Sequence, residues 1–153
     1  DTIINLQLKH IKRNNLQLNF LLLDIDYFKQ YNDTYGHLEG DKALKAIANN
    51  LQENLHRSSD YGFRLGGEEF GILVYDTNET KLTQLIKKIQ NSFALLKIMH
   101  EKNQVSEYLT ASFGGIVLDS NSTILVDEIY KYADDMLYSV KENGRNNFRV
   151  LQI

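Results

Sequence analysis

The chain has 153 residues, 42% of them hydrophobic and 24% charged, the size and apolar content of one domain with one core. Its formal net charge of −3 lacks the broad cationic footprint of a nucleic-acid binder, while leaving room for a local cationic site for a small polyphosphate. The absence of cysteine excludes disulfides, thiolate nucleophiles and cysteine zinc sites, and with no proline either, turns must rest on Gly, Asn and Asp.

In chain order, Ile4, Leu8 and Ile11 suggest an amphipathic opening helix that ends at Arg13-Asn14-Asn15. Leu18 to Asp24 is a short unbroken apolar run, the pattern of a strand buried on both faces, and is far too short to span a membrane. Ala43, Leu44, Ile47, Ala48, Leu51 and Leu55 recur at helical spacing and predict a helix over roughly 38–56. Phe63–Leu65 and Phe70–Tyr75 flank Gly66-Gly67 and read as a hairpin. Leu82, Leu85, Ile86, Ile89, Phe93 and Leu96 define another amphipathic helix. Tyr108 to Leu118 is strand-like, with Gly114-Gly115 marking either a bulge or a close backbone approach. Val126, Ile129, Ala133, Met136, Leu137 and Val140 define the last long helix, Gly144 falls where a C-cap is expected, and Asn147–Leu151 is a final short strand. With no linker or repeat, the expectation is a single α+β domain: a central, mainly antiparallel sheet with helices packed on its faces.

Chemistry-bearing residues gather at strand ends and turns. Asp24 and Asp26 close the first strand, on one face by the two-residue period, and Glu68-Glu69 sit at the hairpin tip. A hard cation such as Mg²⁺ takes one or two carboxylates and completes its shell with phosphate and water, so one Asp from the strand and one Glu from the hairpin would fit. Each motif also has an ordinary reading, as turn or solvated-face residues. Lys29 could neutralise a polyphosphate or be a plain surface lysine. Asn32 and Asp41, around the glycine-punctuated turn Gly36-His37-Leu38-Glu39-Gly40, could read a guanine edge, or Asp41 could serve the helix dipole. Lys141 and Arg145, four apart around Gly144, read as a phosphate clamp or as cations at a helix C-terminus.

The order and spacing of these motifs carry more than each alone. Leu23-Asp24-Ile25-Asp26-Tyr27-Phe28-Lys29, Asn32-Asp33, Gly36-His37, Gly40-Asp41, Arg64-Leu65-Gly66-Gly67-Glu68-Glu69-Phe70, Ala111-Ser112-Phe113-Gly114 and Ala133-Asp134-Asp135-Met136-Leu137-Tyr138 with Lys141 and Gly144-Arg145-Asn146 together resemble the GGDEF diguanylate cyclase family, in its GGEEF form. The resemblance implies a nucleotide-cyclase, ferredoxin-like arrangement and condensation of two GTP into cyclic di-GMP and two pyrophosphates. It implies one GTP per domain of a homodimer, at least during catalysis, with Mg²⁺, or Mn²⁺ in its place. Asp24, the Ile25 carbonyl and Glu68 would bind the metal, with Glu69 supporting it less directly. Glu68 would also stand on the base side of 3′-hydroxyl activation. Lys29, Lys141 and Arg145 would hold phosphates together with the backbone N–H groups around Tyr27 and Phe28, and Asn32 and Asp41 would read guanine. Arg57 and Asp60, in an R-x-x-D run that begins nine residues before Gly66, resemble the family's site for inhibition by product.

One departure stands beside these matches. The D-x-L-T-G-L-x-N-R-R-like segment that family members carry before the first helix is not found in the 23 residues ahead of Asp24. The expectation is a C-terminal fragment of a longer signalling protein with an upstream sensory domain: a cytoplasmic domain of a soluble or a membrane-anchored full-length chain. A catalytically weak domain that binds GTP or cyclic di-GMP, or dimerises, is the alternative reading.

Overall fold

The computed structural model describes residues 17–57, 60–75, 78–119 and 121–153, together with Leu6, Lys9 and Arg13. The opening helix expected from Ile4, Leu8 and Ile11 lies outside the described residues. Five strands form one sheet: β1 (Leu18–Ile25), β2 (Tyr61–Gly66), β3 (Glu69–Tyr75), β4 (Ala111–Leu118) and β5 (Phe148–Gln152). Four helices accompany them: α1 (Phe28–Tyr35), α2 (His37–Asn54), α3 (Glu79–Leu95) and α4 (Val126–Glu142). The strand order is β2-β3-β1-β4-β5, antiparallel throughout except for the β4–β5 pair. This is the α+β sheet expected from the sequence. No helix among the described residues is long and apolar enough to cross a membrane.

The central strand explains its own composition. Leu21, Leu23 and Ile25 pack with α2 and α3 through Ile47, Leu51, Ile86 and Phe93, while Leu18, Phe20 and Leu22 pack with α4 through Ile129, Ala133 and Leu137. A strand with a helix layer on both faces has no solvent side, so its apolar run is unbroken. The alternation also assigns the site. Asp24 continues the even-numbered series, so it falls on the α4 face of the sheet. Its register partners are Glu69 on β3 and Ser112 on β4.

The structure differs from the sequence reading at three places. Helix α1 was not predicted. Phe28 and Tyr31 are its only buried residues, and eight residues are too few for a helical period to declare itself. Strand β4 starts at Ala111 rather than Tyr108, because Tyr108 pairs only with Met99 in an isolated bridge that closes the preceding loop. Finally, Gly114 and Gly115 keep β4 in continuous register with β1, so there is no bulge. Gly114 is instead the close approach. A β-carbon there would stand 2.3 Å from the Ala133 carbonyl oxygen and 2.5 Å from the Leu137 nitrogen.

Those atoms are α4 backbone and cannot rotate away. Gly114→Ala should therefore push α4 off the sheet and lower the unfolding free energy by about 3 kcal/mol, read by urea denaturation. A loss below about 0.5 kcal/mol, the scatter of ordinary surface changes, would mean that α4 docks less tightly than this contact requires.

Candidate active site at the end of the central strand

The hairpin and the end of β1 are locked together before any side chain acts. Gly67 takes a positive φ of 53° at the β2–β3 turn, a conformation glycine adopts without strain. The Arg64 Nε–H donates to its carbonyl at 2.8 Å. The Ile25 N–H in turn donates to the Glu68 carbonyl at 3.3 Å, placing the hairpin tip beside Asp24.

Asp24, Glu68 and Glu69 are all partly buried here. From α4, Lys141 donates a hydrogen bond from Nζ to Asp24 Oδ2 and forms the site's ion pair. Burial pushes the Asp24 carboxyl above its ordinary range, against the pull of Lys141, and Glu68 and Asp26 push in the same direction. Glu69 is also raised, first by burial and then by Asp24 and Asp134, with Lys141 opposing. Asp134, one turn of α4 above Leu137, was quoted only as part of a motif; no sequence signal assigned it to the carboxylate group.

Among the described residues no cluster of three or more His, Asp or Glu forms a metal cage. The donor set is smaller, two carboxylates at the β1 end and hairpin tip. Burial that disfavours the charged form of Asp24, and the ammonium drawn onto it, are what a site fitted to a hard cation shows.

Asp26 has a different task. It is 1% exposed. Its carboxylate accepts from the Thr110 hydroxyl at 2.8 Å, the Ser112 hydroxyl at 2.6 Å and the Asn146 N–H at 3.1 Å. Its own N–H donates to the Thr110 carbonyl at 2.9 Å. Asp26 thus has a structural role: it ties β1, β4 and the α4–β5 loop at one point.

The next residue, Tyr27, is left-handed (φ 54°, ψ 38°) and is the N-cap of α1. A non-glycine residue in this region costs about 1–2 kcal/mol and persists only when its surroundings impose it. Here His100, fully buried, donates from Nε2 to the Tyr27 carbonyl at 2.9 Å. The carbonyl has no hydrogen to give, so Nε2 carries the hydrogen of this bond, and Nδ1 is buried without a partner among the described residues. The Arg145 guanidinium lies 4.6 Å from the Tyr27 ring centroid. Arg145 and Asn146 are themselves left-handed, at φ 62° and 48°, directly after Gly144 at 109°. The turn entering α1 therefore brings helix N–H groups, Arg145 and, on its first turn, exposed Lys29 to the same end of the sheet as Asp24 and Lys141. His100 carried no sequence signal of this role.

Asn32 on α1 and Asp41 on α2 stand on either side of the α1–α2 junction. Asn32 packs on Gly40, the neighbour of Asp41, and Asp41 is exposed on the rim of a cavity of about 420 Å³ floored by Leu44, Phe63 and Phe70. The helix start is His37, so Asp41 lies beyond the capping position that the dipole reading needed.

Arg57 and Asp60 sit elsewhere, at the α2–β2 connection, as an ion pair of 3.5 Å. They line a separate cavity of about 220 Å³ with His56, Lys81 and Lys88, whose ammonium is 3.0 Å from His56 Nε2. Ser58 and Ser59 lie outside the described residues.

The raised Glu69 has a measurable consequence. The folded chain holds this proton more tightly than the unfolded chain, whose glutamates titrate near the ordinary 4.5. Stability is then lost as pH rises from that value through the raised one, and is constant beyond it. With chelator present, Glu69→Gln should melt above the parent at neutral pH, and the difference should close as pH falls below about 4.5. A difference that does not change with pH would mean that burial and crowding do not act on Glu69.

The family pattern described as diguanylate cyclase, GGDEF domain, matches residues 1–147. The chain is 35% identical over 133 residues to the probable diguanylate cyclase DgcT of Escherichia coli K12, covering 87% of this chain and 29% of that protein. It is likewise 35% identical over 131 residues to the diguanylate cyclase VdcA of Vibrio cholerae, covering 85% and 38%. The chain thus spans about a third of the length of these relatives. Among solved structures, the active GGEEF domain of a diguanylate cyclase from Vibrio cholerae superposes with a TM-score of 0.78 at 30% identity, covering 93% of this chain and 87% of that one. The GGDEF domain of DgcB from Caulobacter crescentus, in complex with c-di-GMP, gives 0.80 at 23% identity, covering 97% and 87%, a likeness of fold. With the family pattern running along nearly its whole length, the chain belongs to the GGDEF domain family.

Proposed function

We propose that this chain is the catalytic domain of a diguanylate cyclase, condensing two GTP into cyclic di-GMP with release of two pyrophosphates. The observation that carries the reading is the Asp24–Lys141 pair at the end of β1, with Glu68 and Glu69 at its side and the Tyr27 turn and Arg145 next to it. This is an acidic pocket adjoining a cationic, N–H-rich one, the two halves needed for a metal-bound triphosphate.

In this reading Asp24, the Ile25 carbonyl and Glu68 would hold the cation, Mg²⁺ or Mn²⁺, which would supply positive charge to the triphosphate. Lys141 balances Asp24 in the free site and turns to a phosphate in the loaded one. Lys29, Arg145 and the first N–H groups of α1 hold the remaining phosphate oxygens, while Asn32 and Asp41 read guanine from the α1–α2 junction. One chain offers one such site. Two chains must face each other so that each 3′-oxygen forms a bond to the partner's α-phosphorus as the bond to the β-phosphate breaks, the hydroxyl proton leaving on the Glu68 side. A two-fold homodimer meets this demand. We further read the chain as the C-terminal part of a longer cytoplasmic signalling protein whose upstream region supplies the sensing function.

The test is incubation with GTP and Mg²⁺ and identification of the nucleotide product. Cyclic di-GMP is expected, with ATP a poor substitute. Binding of GTP with no product would leave a receptor or dimerisation module instead. Glu68→Gln should lower turnover at least about 10²-fold with an unchanged melting point, since it keeps the shape of the side chain and removes its charge. A variant as fast as the parent would remove Glu68 from the site.

The Arg57–Asp60 cavity supports a second part of the reading, regulation by product. A guanidinium and two ammonium groups beside a carboxylate suit a ligand with two phosphates and two guanines, away from the β1 end. Inhibition by added cyclic di-GMP should be non-competitive with GTP, and Arg57→Ala should relieve it while turnover is preserved. Equal inhibition of the two proteins would leave the active site as the place where product acts.

A further inference from the structure

Gly40 lies inside α2, four residues past the N-cap Gly36, and its N–H donates to the Gly36 carbonyl at 3.0 Å. It is not among the residues with positive φ. A glycine at such a position loses stability against alanine for no conformational gain, so its reason must be space. A β-carbon on Gly40 would stand 1.8 Å from Asn32 Oδ1 and 2.9 Å from Asn32 Cγ. The amide of Asn32 occupies the volume that any other residue would fill. The third neighbour, Phe28 Cζ at 3.4 Å, is an ordinary contact.

The Asn32 main chain cannot retreat easily, because its carbonyl accepts the Gly36 N–H at 2.8 Å and closes α1. Its side chain is the part that would move. Asn32 Oδ1 is buried and has no hydrogen-bond partner among the described residues, so packing on Gly40 rather than a bond holds it. The amide therefore lies against Gly40, the residue that precedes Asp41 in the chain.

We propose that Gly40 is a specificity-positioning residue: its missing side chain is what lets the Asn32 amide lie beside Asp41, so that both groups meet one base. The proposal rests on the assignment of Asn32 and Asp41 to guanine. Gly40 touches no ligand and acts only through Asn32.

The experiment is a double-mutant cycle of the parent, Gly40→Ala, Asn32→Ala and the double variant. Two quantities are read: the melting midpoint without nucleotide, and the ratio of affinities for non-hydrolysable GTP and ATP analogues by calorimetry. Gly40→Ala should lower the guanine preference at least about 10-fold, as Asn32→Ala does, and the double variant should be no less selective than either. In the Asn32→Ala background the methyl group meets free space, so Gly40→Ala should raise the midpoint by about 2–4 °C. In the parent background it should give no such gain. Selectivity losses that multiply in the double variant, an unchanged preference in Gly40→Ala, or equal midpoint shifts in both backgrounds would overturn the proposal with the guanine assignment intact. An Asn32→Ala protein that keeps the parent preference overturns it by removing that assignment, and the melting cycle still reports whether the two residues are sterically coupled.

Discussion

The site depends on one buried carboxylate, Asp26, whose hydrogen bonds join distant parts of the chain. Asp26 is surrounded by three donors from two segments: two hydroxyls at the start of β4 and an N–H just after α4. A carboxylate hidden from water is costly unless its oxygens are satisfied, and each donor left behind would be costly too. The arrangement therefore holds only as a whole. It fixes where β1 ends and where the Arg145-Asn146 turn returns, and it sets the starting point of the left-handed turn at Tyr27.

From that point the geometry follows by short steps. Sheet alternation puts Asp24 and Glu69 on the α4 face, and α4 supplies Lys141 from its last turn, where a cation also suits the helix dipole. The other end of the Tyr27 turn is held by His100 from the loop between α3 and β4, a buried ring stacked edge-on against Tyr31 at 5.2 Å. Four left-handed residues, Tyr27, Gly144, Arg145 and Asn146, lie within this small region, three of them not glycine. Strain concentrated at one place is the mark of backbone held for function, offset by the fully packed β1 and its two helix layers. The raised carboxyls of Asp24 and Glu69 belong to the same pattern: burial disfavours charge at the end of β1.

The cavity beside Asp41 runs along α2 from Asp41 to Gln52, and the one beside Arg57 begins at the C-terminal residue Asn54. That helix is tied to α3 near its C-terminus by a buried polar cluster, in which the Asn54 amide donates to Ser92 Oγ at 3.0 Å and Ser92 Oγ donates to Asn50 Oδ1 at 2.6 Å. These bonds anchor the Arg57 end of α2. The Asp41 end is positioned instead by the contact of Gly40 with α1.

Much of this was legible in the sequence because it is written in periods and short spacings. The unbroken apolar run of β1, the glycine pair of the hairpin and the helical repeats of α2, α3 and α4 each follow from local side-chain chemistry. The ordered series from Asp24 through Arg145 located the acidic and cationic residues. The sequence could not decide how partners distant along the chain meet. Asp26 reaches Ser112 and Asn146, His100 reaches Tyr27, and Asp134 shares a carboxylate group with Glu69, across separations that no period spans. Nor could it choose between a bulge and a close approach at Gly114, or see why position 40 must lack a side chain, since both depend on which neighbour fills the space. Composition and periodicity determine which faces are buried. Only packing the buried faces together determines which polar groups lose water at the same place, and that shared loss of solvent turns separate carboxylates, amines and carbonyls into one site.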